Sequence, residues 1–282
     1  MKISIASGKG GTGKTTIATN LAVAIARMGK DVAYLDCDVE EPNGRIFLKP
    51  EITEQIDVTV PVPKVDLDKC TFGGECSAAC EYHAIAVLGK SVQVFPSLCH
   101  GCGGCIDVCP EDAIEQIPRT IGHISRGVGM GVKFYEGRLN VGEALSPPVT
   151  RALRKLPTKS DVTIIDAPPG TSCPVIEAIR GTDFVILVTE PTPFGLNDLE
   201  LAVGMVRELD LPYGVVINCS DIGDNRTKEY CRREGIDILM EIPYDRQVAV
   251  AYSRGEMMFS VNSQYEENLH KLYQNIIDRN SR

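Results

Sequence analysis

The sequence predicts an α/β protein: a doubly wound, mostly parallel sheet with helices on both faces, interrupted once by a small α+β unit rich in cysteine. Three observations carry that prediction. A short β-type run, Ile3 to Ala6, passes through a glycine-rich loop into a helical pattern from Thr15 to Arg27. Further on, the apolar runs Asp31 to Asp36, Val162 to Asp166, Asp183 to Thr189 and Tyr213 to Asn218 alternate with helical stripes, the mark of βαβ units. Finally, seven of the eleven cysteines lie between Cys70 and Cys109.

The loop Ser7 to Thr16 reads G-x4-G-K-T between a strand and a helix, the context a phosphate-binding P-loop needs. Glycines let consecutive N–H groups turn inward on an anion, and the following helix adds the positive end of its dipole. Gly8, Gly10, Gly11, Thr12, Gly13, Lys14, Thr15 and Thr16 are therefore expected to hold nucleotide, with Lys14 on the β/γ-phosphates and the Thr15 hydroxyl on Mg²⁺. The sheet is thus expected to be that of a P-loop NTPase. A second lysine, Lys9, follows the first glycine. Gly8-Lys9-Gly10-Gly11-Thr12-Gly13-Lys14-Thr15 resembles the deviant P-loop of the MinD/ParA family, to which the nitrogenase iron protein also belongs. That resemblance implies slow Mg²⁺-dependent ATP hydrolysis and a homodimer formed on ATP binding, in which Lys9 reaches the partner's ATP. From the residues alone, Lys9 also reads as a solvated loop lysine.

Composition narrows the classes of function. The chain has 282 residues, 43% of them hydrophobic, enough for one large domain and a small second unit. No tract approaches the ~18 apolar residues of a membrane span, and Met1-Lys2 leads directly into a strand, so a cytoplasmic protein is expected and a membrane partner is not. A net charge of −9 argues against a nucleic-acid partner, which needs clustered cations.

After the second strand, Asp36-Cys37-Asp38 puts two carboxylates at the mouth of the sheet, where open α/β folds bind ligands. The resemblance makes this switch I, with Asp38 positioning the attacking water and Asp36 nearer the Mg²⁺ shell. Pro42 to Pro63 loses periodicity and reads as a linker. An internal repeat with an offset of 29 follows, Cys70 matching Cys99, Cys76 matching Cys105 and Cys80 matching Cys109. Its second half is C-x2-C-x2-C-x3-C-P, the run of a bicluster ferredoxin. Because the fourth cysteine of each run ligates the other cluster, Cys99, Cys102, Cys105 and Cys80 are expected to hold one complete [4Fe–4S] cluster. In the first half Gly73 replaces the second cysteine, so Cys70, Cys76 and Cys109 leave one position open. The expectation there is a [3Fe–4S] cluster or a labile [4Fe–4S] whose fourth iron takes water or an outside ligand. Zinc is the rival metal, but zinc sites usually come as two separated cysteine pairs.

Residues 60–118 carry three lysines against eight carboxylates, an acidic face suited to steering a basic redox or regulatory protein, or simply a solvated one. Arg119 to Val141 reads as a hairpin returning to the main sheet, and Val149 to Leu156 as a short helix. Val162 to Asp166 has the Walker B pattern, with Asp166 holding a water of the Mg²⁺ shell, and Gly170 in the next segment is expected to give its N–H to the γ-phosphate. Cys173 reads as a buried or interface thiol, since no second cysteine lies between residues 110 and 172 to complete a bridging cluster. By resemblance, Asn218, Pro243 and Tyr244 flank the adenine. A C-terminal stripe of Leu269, Leu272, Tyr273, Ile276 and Ile277, with only Lys271, Arg279 and Arg282 as cations, reads as a core-packing helix.

The expected domains are 1–59 and 119–282 for the ATPase and 60–118 for the inserted iron–sulfur unit. Two functions follow. In one, nucleotide-dependent dimerisation is coupled to the clusters for electron transfer or cluster assembly. In the other, the chain is a MinD-like spatial regulator whose clusters are structural or sense redox state.

Overall fold

Strands that alternate with helices on both faces must be apolar on both sides, and that is how the centre of this molecule is built. A computed structural model describes residues 1–280; Arg282 lies outside them. The first half contains β1 (Lys2–Ala6), α1 (Lys14–Arg27), β2 (Val32–Asp36), α2 (Gly44–Leu48), β3 (Glu51–Val65), α3 (Glu75–Ala78), β4 (Ile85–Leu88), β5 (Ser91–Val94) and α4 (Gly104–Asp107). Then come β6 (Ile114–Gly129), β7 (Val132–Leu139), α5 (Pro147–Arg154), β8 (Val162–Asp166), α6 (Cys173–Ile179), β9 (Phe184–Thr189) and α7 (Pro193–Glu208). The chain closes with β10 (Tyr213–Asn218), α8 (Arg226–Arg233), β11 (Ile238–Ile242), α9 (Arg246–Ser253) and α10 (Gln264–Asn280).

The main sheet runs β11-β10-β9-β1-β8-β2-β7-β6-β3. From β11 to β7 every neighbour is parallel, and β6 and β3 extend the sheet antiparallel. Every residue of β2, β8 and β9 is buried. One face packs against α1, α2 and α10, the other against α5 to α8. The C-terminal stripe behaves as expected: Leu269, Leu272, Tyr273 and Ile276 are buried in the core that α10 shares with α1.

The segment expected as a linker is ordered. Residues 44–48 form α2 and Glu51 begins β3, which includes Pro61 and Pro63. Prolines are tolerated there because β3 is the edge strand, where a missing N–H costs no interior ladder bond. Together β3 and β6 form a long ribbon, register Glu51↔Val128 to Val65↔Ile114. Only residues 122–129 of β6 also pair with β7, so 114–121 and their β3 partners run on as two strands alone. The expected boundaries at 59/60 and 118/119 therefore fall inside continuous strands, and the cysteine-bearing segment follows the third strand, not the second. That segment, 66–113, is carried between Val65 and Ile114 and contains α3, the β4–β5 hairpin and α4.

The 29-residue repeat is visible in its backbone. Positive φ values recur at Phe72, Gly74 and His83 and again at Gly101, Gly103 and Asp112. Neither α3 nor α4 buries a residue, and the buried apolar side chains over 66–114 are Ala84, Ile85, Ala113 and Ile114.

Candidate functional site

At the carboxyl ends of the parallel strands lies a cavity of about 500 Å³, a size that fits a nucleotide. The P-loop forms its floor. Gly11 and Gly13 adopt φ of 79° and 94°, which side chains rarely accept, and α1 begins with no side-chain cap. Its first N–H groups are thus left for an anion. A Cβ on Gly10 or Gly11 would meet nothing within 4 Å, so both face open space. Gly10, Gly11, Gly13, Lys14, Thr15, Thr16 and Asp38 line the cavity, and Asn218, Pro243 and Tyr244 line it as well.

Behind the phosphate end sit carboxylates held away from water. The Tyr34 hydroxyl donates to Asp166 Oδ2 at 2.9 Å, while Gly44 N–H donates to Asp36 Oδ2 at 2.8 Å and Asp38 N–H to Asp36 Oδ1 at 3.3 Å. Burial pushes Asp36 well above the usual carboxylate range, and the Asp166 carboxylate pushes it further. Asp166 is also raised by burial, opposed by the Lys14 charge and the nearby Thr15 and Tyr34 hydroxyls. Asp38 is pushed up to about 6, first by burial and then by Asp166, with Lys14 opposing. Asp166 Oδ1 and Thr12 Oγ1 are buried without a hydrogen-bond partner. An orphaned carboxylate oxygen beside Lys14 and Thr15 suits the hydration shell of Mg²⁺, which keeps several of its waters.

Several expected residues sit differently. Gly170 turns at φ 98°, but its N–H donates to Ser7 O at 3.0 Å and is not offered to the cavity. Pro169 lines the cavity in its place. Gly8 packs against α7, where a Cβ would overlap the Asp198 carbonyl, so helix packing by itself requires glycine there. Lys9 pairs with Glu190 at 3.6 Å within its own chain. Asn218 Nδ2 donates to Thr12 O at 3.0 Å and so braces the loop. Cys173 is exposed, not buried.

The cysteines surround two hollows. Cys80, Cys99, Cys102 and Cys105 line one, with Pro61, Val62 and Gln116 of the ribbon beside them. Cys70, Cys76 and Cys109 line the other, further along the ribbon at Val65 and Ile114. Backbone N–H groups point at the sulfurs: Ala84 to Cys80 at 3.2 Å, and Gly101 to Cys99 and Ala113 to Cys109 at 3.4 Å each. Among the described residues no three His, Cys, Asp or Glu side chains close on one point as a single ion requires. Sulfurs spread around a hollow, three of the seven accepting from a backbone N–H, fit an iron–sulfur cluster. Burial pushes the Cys76 and Cys105 thiols up. A cationic iron core is what lets such neighbouring thiols ionise together.

Sequence reading missed Tyr34, which looks like one more apolar strand residue, and Glu41, Asn43 and Tyr252, which line the cavity from outside any motif. It also missed Glu190, whose place beside Lys9 depends on β9 lying next to β1.

Comparison with known proteins agrees with this architecture. The CobQ/CobB/MinD/ParA nucleotide-binding domain matches residues 3–258. An uncharacterised protein of Methanocaldococcus jannaschii is 30% identical over 93% of both chains. The iron–sulfur cluster carrier protein of Pyrococcus horikoshii is 27% identical, covering 90% of this chain and 77% of that protein. Among solved structures, the septum site-determining protein MinD of Pyrococcus horikoshii, in complex with Mg-ADP, aligns over 98% of this chain and 95% of its own with a TM-score of 0.58 at 20% identity. The chain belongs to the CobQ/CobB/MinD/ParA nucleotide-binding family.

Proposed function

We propose that this nucleotide-binding protein hydrolyses ATP with Mg²⁺, dimerises on ATP binding, and couples that cycle to two iron–sulfur clusters for electron transfer or cluster assembly. In this reading residues 1–59 and 119–282 act as the ATPase and 60–118 as a ferredoxin-like insert. The partition of the seven cysteines between two hollows carries the proposal, because it reproduces the crossed ligand sets of a bicluster ferredoxin. The cluster-carrier relative supports it.

Within the cavity Lys14 and the P-loop N–H groups hold the β/γ-phosphates, and Thr15 with Asp166 Oδ1 serves the Mg²⁺ shell. Bound Mg²⁺ neutralises charge that builds on the transferring phosphoryl group. Asp38 orients the attacking water, and its half-buried carboxylate accepts the proton better than an exposed one. Lys9 must leave Glu190 to reach a partner's ATP, and Gly170 must leave Ser7 to sense the γ-phosphate. Cys80, Cys99, Cys102 and Cys105 hold the complete [4Fe–4S] cluster, and Cys70, Cys76 and Cys109 hold the second. The clusters supply one-electron chemistry.

The coupling has a physical link. Val39, next to Asp38, accepts from Leu139 N–H through its carbonyl at 2.8 Å and packs at Gly137, where Val149 also reaches. One apolar core joins Val39 and Val149 to Val58, Val60 and Val62 of the ribbon, with Cys99 packed against it. Movement of switch I thus has a contiguous path to the complete cluster. The test is a reductive EPR titration of anaerobically purified protein, with and without MgATP, in the wild type and in Asp38→Ala. A midpoint potential or line shape that moves with nucleotide supports coupling. If hydrolysis proceeds and neither moves, the coupling is wrong and a spatial regulator becomes the better account.

A further inference from the structure

The two halves of the cysteine unit share one backbone, and two of the positions at which their side chains differ bear on the open ligand site. Phe72 and Gly74, with φ of 61° and 95°, match Gly101 and Gly103 at 70° and 82°. Both short helices begin at the next residue, α3 at Glu75 and α4 at Gly104. Between these markers Gly73 stands where the second half has Cys102, and Glu75 stands where it has Gly104. One position loses its thiol and the other gains a carboxylate.

The exchange is spatially complementary. In the second half a Cβ on Gly104 would lie 3.8 Å from Cys102 Sγ, so a side chain at that position reaches the space its neighbour's thiol fills. In the first half a Cβ on Gly73 would overlap Glu75 Oε2 and lie 2.8 Å from Oε1. The Glu75 carboxylate therefore stands where the first side-chain atom of a residue 73 would be, at the edge of the hollow. Gly73 itself is not in the left-handed region, so its backbone does not demand glycine, and a side chain there would only have to displace the free end of Glu75. Glu75 also lines the hollow shared by Cys70, Cys76 and Cys109. Its carboxylate accepts no hydrogen bond and makes no ion pair among the described residues, which leaves both oxygens available.

We propose that Glu75 is the fourth ligand of the second cluster, a carboxylate oxygen completing a site of three thiolates. This rests on the reading that the hollows hold iron–sulfur clusters. A carboxylate carries the same charge as the missing thiolate, so the anionic donor set is conserved. Its harder oxygen gives one iron a distinct subsite, and that iron is the first to exchange its ligand or to be lost on oxidation.

Mössbauer and EPR spectra of the full chain, reconstituted anaerobically, test the assignment. The wild type should hold about eight iron atoms, one of them in a distinct subsite. In Glu75→Ala and Glu75→Gln, mild oxidation should eject that iron and give the nearly isotropic EPR signal of an oxidised [3Fe–4S] cluster at about one spin per chain. Adding Gly73→Cys to Glu75→Ala should suppress this signal by restoring a thiolate. A wild type that already carries the three-iron signal, or a Glu75→Ala spectrum unchanged from wild type, would overturn the assignment while leaving the clusters in place. If the chain holds only about four irons, lost in Cys99→Ser and untouched in Cys70→Ser, the second hollow holds no cluster, and the assignment falls with that reading.

Discussion

The ATPase body and the cysteine unit are held together by different forces. In the body, the strands at the centre of the sheet are buried along their whole length between two layers of helices. In the segment 66–113 the helices bury nothing, and Ala84, Ile85 and Ala113 are its buried apolar side chains. Such a stretch cannot offset the entropy of its own ordering by burial, so ligation must do so. The body should fold without a ligand; the unit should not.

Stripping the iron with a chelator gives the largest expected contrast. Amides in 66–113 should then lose about a thousandfold or more of their hydrogen-exchange protection, while those of β1, β8 and β9 keep theirs. Retained protection in the stripped unit would remove the distinction. Substituting the body's own ligand contact should act in the other direction. Lys14→Ala should weaken ATP binding by about a hundredfold in calorimetry, equivalent to ~3 kcal/mol, and leave the iron content unchanged.

A smaller effect is expected from pH. Burial raises the folded-state pKa of Asp38 to about 6, so its carboxyl is neutral below that value and ionised above it. Infrared titration of the nucleotide-free chain should find this group near pH 6, and hydrolysis should rise with pH through the same region until bound Mg²⁺ shifts the titration lower. Asp38→Asn should slow hydrolysis about a hundredfold and erase that inflection without moving the cluster spectra of the nucleotide-free chain. The smallest effect is at Glu190. Its pair with Lys9 is partly exposed, so Glu190→Gln should change unfolding free energy by less than ~0.5 kcal/mol. Lys9→Ala should be equally mild for stability yet abolish ATP-dependent dimers in light scattering. A dimer that survives it would separate this chain from the resemblance its loop suggests.

Legibility in the sequence follows the same division. Strands β2, β9 and β10 could be read because burial on both faces writes an unbroken apolar run closed by a polar residue. The edge strand β3 could not, since its exposed side and its prolines imitate a linker. Ligand spacing is local, so the cysteine sets were readable before any fold was known. Contacts made across the fold were not: the Tyr34 to Asp166 bond and the Lys9 to Glu190 pair depend on strand order. The Gly170 bond to Ser7 and the packing of Gly8 on α7 were not legible for the same reason, because a motif names a residue and not its neighbour.

Val65 and Ile114 face each other as the last pair of the ribbon ladder. The forty-odd residues between them leave and return through one gap about 5 Å wide, the separation of a cross-strand pair. The unit is therefore a graft on a hairpin. A chain in which 66–113 is replaced by Asn-Gly should close the ribbon as an ordinary type I′ turn. Its melting temperature and ATP affinity should match those of the parent body, and a large loss of either would mean that the graft had become structural to its host.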